Sequence, residues 1–247
     1  MSSPLRRAEH TRRMKVLDAP WALLTRIGHF FHTAPLATTG ILFPALVLLA
    51  AWRRRRSLPR PLRWMCVYLA LTLLEDFFMI YWSRAGRHNL WIMNLYTPFE
   101  AAMFGMMYAG WQLRERWRTV VYAVTALFLV FWLVLILTIE PITEFSRFTK
   151  SVEALLVIAV AAWTLVQRSR HTAAPLTAHA WFWVSVGTLL YFAYFLLLNP
   201  VSLLLSTRLD LLVVVYEING AMVIVMYLFW LRATLLVRRP SKAEARA

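Results

Sequence analysis

Carboxylates stand inside or at the edge of long apolar stretches of this 247-residue chain, among them Glu75, Asp76, Glu100, Glu153 and Glu217. A carboxylate in a hydrocarbon core is costly unless paired or hydrated, so its position points to a buried polar cavity. Glu75 and Asp76 lie roughly 10 Å before the end of their apolar run, Glu100 roughly 14 Å beyond Trp91, and Glu217 roughly 10 Å beyond Asp210. Glu153 stands near the start of its run. All these depths refer to one end of the molecule, so a single pocket can collect the acids. Thr72 shares a helical face with Glu75 and Asp76, as Tyr96 does with Glu100, which gives each acid a hydroxyl neighbour. Pro98 has no N–H and frees the carbonyl of Asn94, opening the backbone beside Glu100. Asn219-Gly220 loosens the last run at similar depth, with Tyr216 on the face of Asn219. The candidate ligand-binding set is therefore Glu75, Asp76, Asn94, Tyr96, Glu100, Tyr216, Glu217 and Asn219.

Such a set suits a cation, an amine or a hydroxylated lipid headgroup, and the leading expectation is receptor-like or sensory ligand binding. Two other chemistries use the same acids. In an intramembrane enzyme acting on a lipid or isoprenoid, Glu100 and Glu75 serve as general acid and base. In a proton- or cation-coupled transporter, the acids are titrating carriers. A plainer reading makes them ion-paired groups that fix helix packing, and for Glu153 and Asp210, close to helix ends, a solvated structural role is expected. Arg84, Arg87, His88, Arg147, Lys150 and Arg208 are placed at the pocket mouth.

A metal held by these acids would be oxygen-bound, as Ca²⁺, Mg²⁺ or Mn²⁺ prefer. No apolar run has an interior histidine and none carries Glu-x-x-His, which disfavours zinc hydrolases and di-iron bundles; no metal ligand and no cofactor is assigned. Phosphate-loop and nucleophile-elbow motifs are lacking, as is a lysine in the middle of the last run for a retinal Schiff base. The single cysteine, Cys66, allows neither an intrachain disulfide nor a cysteine-based metal site.

The elements that must position these residues follow from composition. The chain is 60% hydrophobic and 16% charged, against roughly 45–50% and 25% in soluble domains. Seven apolar runs are about long enough to span a bilayer as helices: 34–52, 62–82, 90–111, 119–139, 151–168, 179–198 and 209–235. The expected fold is all-α, a polytopic bundle of seven transmembrane helices over 34–235. It is preceded by a basic segment, 1–33, with an interfacial helix, and followed by a short basic tail, 236–247. The run that Trp91 and Trp111 bracket matches the core thickness best, and Trp82 with Trp91 and Trp111 with Trp117 are read as interfacial aromatic pairs.

The net charge of +15 belongs to the membrane surface, since no nucleic-acid-binding motif accompanies it. The connections after the first, third and fifth runs and the C-terminal tail, with adjoining turns, carry sixteen Lys and Arg against five on the other side. The C-terminus is thus expected to be cytoplasmic in a cell inner (plasma) membrane, although the basic N-terminal segment opposes that orientation. The tail is too short for an output domain, so sensing requires a membrane partner protein besides the lipid bilayer.

The segment Asn89-Leu-Trp-Ile-Met-Asn-Leu-Tyr-Thr-Pro-Phe-Glu100, with Glu75 before it and Tyr216-Glu217-Ile218-Asn219 after it, resembles a group of uncharacterised bacterial seven-helix integral membrane proteins. Their Asn-x-Tyr-x-x-x-Glu pattern on helix 3 corresponds here to Asn94, Tyr96 and Glu100, and the resemblance implies fold and location. Pro98-Phe-Glu100 is similar to the Pro-x-Glu-Glu motif of membrane lycopene cyclases, with Ala101 in place of the second acid.

Overall fold

The computed structural model describes residues 35–85, 87–144, 146, 148–204 and 209–237. They form seven α-helices: α1 Pro35–Trp52, α2 Arg60–Arg84, α3 Leu90–Ala109, α4 Glu115–Thr138, α5 Phe148–Ser169, α6 Ala180–Leu204 and α7 Leu209–Leu236. The all-α expectation holds, and no strand occurs among the described residues. Segment 1–33 with its interfacial helix, Arg147, Arg208 and the tail beyond 237 lie outside them, as do the side chains of Arg84, Asp210 and Tyr216.

Five helices are long and apolar enough to cross a membrane, over Arg60–Ser83, Glu115–Thr138, Phe148–Ser169, Ala180–Leu198 and Glu217–Leu236; α1 adds a shorter apolar stretch, Thr39–Trp52. α3, expected to be the best-matched span, is not one of the five. Asn94, Tyr96, Thr97, Pro98 and Glu100 reduce its apolarity, and ten of its residues are buried. Neighbouring helices shelter it.

The packing explains how. α1 lies against α2 and α7, α2 against α3, α3 against α5, α5 against α6, and α6 against α7, closing a ring of six, while α4 packs outside on α3 and α5. At mid-height the ring is filled by an aromatic cluster: Tyr68 and Phe104 have ring centres 4.9 Å apart, Phe104 and Phe192 5.1 Å, and Tyr68 and Trp230 5.5 Å. Edge-to-face and tilted contacts of this kind add to the gain from burial.

Trp82 and Trp91 do pair across the α2–α3 turn, with ring centres 5.7 Å apart. Trp111 does not join Trp117 in a belt. It is buried against Tyr108 and its carbonyl accepts from Arg168 Nε at 2.8 Å, while Trp117 meets Trp163.

Close approach of α6 to α7 depends on Gly187. A Cβ there would stand 2.8 Å from Phe229 Cβ and 3.1 Å from the Met226 carbonyl, whereas one at Gly40 would make only ordinary contacts, 3.6 Å from the Gly220 carbonyl. Gly187→Ala is therefore expected to destabilise the fold by about 1–3 kcal/mol through overpacking, and Gly40→Ala to be neutral. Unfolding titrations with SDS in mixed micelles read both.

Candidate functional site

Above the aromatic cluster the ring encloses a cavity of about 380 Å³ to which α1, α2, α3, α5, α6 and α7 all contribute. Its most buried polar groups are an ion-paired triad that the candidate ligand-binding set does not contain as such. Lys150 Nζ donates to Glu100 Oε2 and Glu153 Oε2, each at 3.0 Å, and Tyr68 donates its hydroxyl to Glu100 Oε1 at 3.1 Å. Glu153 is 1% exposed and Lys150 6%. Lys150 thus stands inside the pocket and not at its mouth, and Glu153 is a buried ion-pair member and not a solvated helix-end group.

The reason lies in the α4–α5 connection. Lys150 is the third residue of α5, yet its partner Glu100 sits ten residues into α3, roughly 15 Å along that helix. The start of α5 is therefore tucked well inside the bundle. Irregular backbone at that depth along the bundle is satisfied by protein groups, and two side chains do this. Asn94 Nδ2 donates to the carbonyls of Ile142 and Glu144, both at 2.7 Å. Glu140 accepts from the Phe148 N–H at 2.6 Å, the Thr149 N–H at 3.2 Å, and the hydroxyls of Ser146 and Thr149, a carboxylate cap on the N-terminus of α5.

Burial alone would raise the Glu140 carboxyl, but the hydrogen bonds from Thr149, Phe148 and Ser146 outweigh it and hold the group below its ordinary value of 4.5. A depressed folded-state value contributes stability that is present above about pH 4.5 and lost as pH falls through that lower value. Stability of the wild type minus that of Glu140→Gln, followed by unfolding titrations from pH 7 to pH 3, is expected to be constant down to about pH 4.5 and then to shrink.

The structure distributes the sequence-selected residues as follows. Glu75, Asp76, Tyr96, Glu100 and Asn219 line the cavity together. Asn94 is spent on the α4–α5 connection, and the carbonyl that Pro98 frees is not open but accepts from the Trp132 indole N–H of α4 at 3.2 Å. Glu217 faces the bundle, as its stripe with Gly220 predicts, but at the α1–α7 contact, where Oε2 accepts from the Leu36 N–H at 3.0 Å. It caps α1 and does not line the cavity. For Tyr216 only the backbone is described.

The hydroxyl companions also differ. Thr72 and Tyr96 bond each other at 2.7 Å. Thr72 also donates to the Tyr68 carbonyl at 3.0 Å, which leaves the Tyr96 hydroxyl as donor between the two. Glu100 takes Tyr68 of α2. Two signals in the sequence mark what the candidate set leaves out: Lys150 and Glu153 stand at i, i+3, the spacing of a helical ion pair, and Tyr68, which the sequence reading does not name, shares one helical face with Thr72, Glu75 and Asp76 at i, i+4, i+7 and i+8.

The cavity's electrostatics follow from this accounting. Lys150 is claimed by two acids, so it is not free to pair with the other carboxylates of the cavity. Glu75 and Asp76 form no ion pair among the described residues. Glu153 Oε1 and Asn219 Oδ1 are buried without a hydrogen-bond partner among them. No three His, Cys, Asp or Glu side chains among the described residues are placed to hold a metal ion, and the oxygen-only set fails geometrically because Glu217 lies elsewhere. The space offers carboxyl and amide acceptors over an aromatic floor. Comparison with protein-family models, curated proteins and solved structures finds no match to this chain.

Proposed function

We propose that this protein is a multi-pass membrane protein that binds a small amphiphile with an amine or otherwise donor-rich cationic head in this cavity, acting as a receptor-like module. The observation that carries the reading is the surplus of acceptors. Glu75, Asp76, Glu153 Oε1 and Asn219 Oδ1 all border one space whose lysine is already neutralised. An unpaired acceptor in a low-dielectric site is costly, and a ligand N–H or O–H relieves that cost. Phe192, Phe195 and Val223 supply apolar walls for a tail.

Binding fits these groups better than acid–base turnover, because Glu100 is committed to Lys150 and Tyr68. It fits better than transport, because Tyr68, Phe104, Phe192 and Trp230 fill the ring beneath the cavity.

In this reading all seven helices span the bilayer of a cell inner (plasma) membrane. α3, about 30 Å long, crosses behind its neighbours. The basic ends are cytoplasmic. Arg54, in the connection after α1, donates to the carbonyls of Thr234, Leu235 and Val237 at the C-terminal end of α7, so these two basic regions share one end of the molecule. A membrane partner would carry the signal onward.

Three ligands of identical tail test the head preference: tetradecylamine, tetradecanol and tetradecanoate, titrated into the protein in mild detergent with thermal unfolding as readout. The amine is expected to stabilise most, the alcohol less and the carboxylate least. Greatest stabilisation by tetradecanoate would refute the reading.

A further inference from the structure

A second site lies outside the ring, between α1 and α2. A groove of about 810 Å³ runs there, walled by Leu48, Leu49, Leu58 and Leu73 with Cys66 at its side, and Arg55 and Arg63 stand at one end. Nothing in the account of the cavity uses it. Its length is informative. From Arg63 to Leu73 is ten residues of α2, roughly 15 Å of helix, and half of a hydrocarbon core is about 15 Å. The groove is as long as one leaflet is deep.

Its charged end is built for an anion. Arg63 Nε donates to the Leu58 carbonyl at 2.9 Å, which fixes the guanidinium and leaves its two terminal nitrogens for another acceptor. Arg55 lies over the Trp52 ring at 4.3 Å, an arrangement that holds a cation at the interface level. Neither arginine has a carboxylate within ion-pairing distance among the described residues. Arg53 and Arg56 in the same connection and Arg60 at the start of α2 add positive charge, while Arg54 is engaged with α7.

From this placement we infer that the α1–α2 groove is a binding site for an anionic phospholipid. The phosphate is held by Arg55 and Arg63 in the fork geometry that guanidinium offers phosphate oxygens, and one acyl chain lies along Leu48, Leu49 and Leu73. The site rests on the membrane-spanning part of the proposed function and is independent of what the ring cavity binds.

The test uses the full chain in vesicles of equal phosphatidylglycerol and phosphatidylcholine, followed by gentle extraction and native mass spectrometry. Wild type is expected to retain phosphatidylglycerol about thirty times more than phosphatidylcholine, the ratio that two surface arginines provide. Arg55→Gln/Arg63→Gln should abolish the preference, Arg55→Gln alone should reduce it without touching the Arg63–Leu58 bond, and Arg114→Gln/Arg116→Gln, at the start of α4, should leave it intact. Equal retention of both lipids by wild type, or equal loss in the Arg114/Arg116 control, would overturn the site. So would retention of neither lipid by the wild type. Failure of the protein to float with the vesicles would overturn the spanning reading itself, a different result from flotation without preference.

Discussion

Lys150→Met is expected to destabilise the folded protein by about 3–5 kcal/mol, the largest effect of any single substitution considered. The buried ammonium is held at 3.0 Å by both Glu100 and Glu153, and Glu153 is 1% exposed. A buried ion pair contributes little net stability against an apolar replacement of the whole group, because desolvation offsets the Coulombic attraction. Removing one partner is different. It leaves two carboxylates facing each other across the space the ammonium occupied, with Glu153 Oε1 already lacking a hydrogen bond. Unfolding titrations with SDS check the value. Combining Lys150→Met with Glu100→Gln and Glu153→Gln should recover most of the loss, since no uncompensated charge then remains. If the single variant were as stable as wild type, the triad would not be the buried cluster described above.

The second large effect concerns binding. Glu75→Gln/Asp76→Asn is expected to weaken tetradecylamine by about ten- to a hundredfold, the worth of a hydrogen bond to a charged group, while tetradecanol changes little. The fold should not suffer. Both residues line the cavity without an ion-pair partner among the described residues, so the isosteric amides break no ion pair. Isothermal titration with the two ligands separates head charge from tail burial. Equal weakening of amine and alcohol would mean that the substitutions deform the cavity and do not remove a charge partner.

How much of this was legible in the sequence depends on how local each feature is. The seven apolar runs correspond one to one with α1–α7 because span length and apolar composition are properties of a single segment. Glu75, Asp76, Glu100 and Asn219 fall into one cavity because depth along a helix can be counted from its end. What failed was everything that required knowing where a connection goes. Lys150 and Glu153 were placed by assuming that α5 begins at the membrane face, whereas the Asn94 clamp and the Glu140 cap let it begin beside Glu100. Asn94 was misread for the same reason, since its partners, Ile142 and Glu144, are distant in sequence. Glu217 shows the limit of a helical stripe: the inward direction was right, but the neighbour it meets is the N-terminus of α1 and not the cavity. The opened carbonyl at Pro98 was correctly deduced, yet only the packing of α4 reveals that Trp132 fills it.

In the proposed function the ring cavity takes a cationic or amine-headed amphiphile. The most direct test is unbiased mass spectrometry of the small molecules and lipids that copurify with gently solubilised protein, comparing wild type with an equally folded Glu75→Gln/Asp76→Asn variant. A species bearing an amine or other cationic head is expected on the wild type and its loss from the variant. Identical bound species on both, or an anionic amphiphile that persists when the acids are neutralised, would contradict the proposed function.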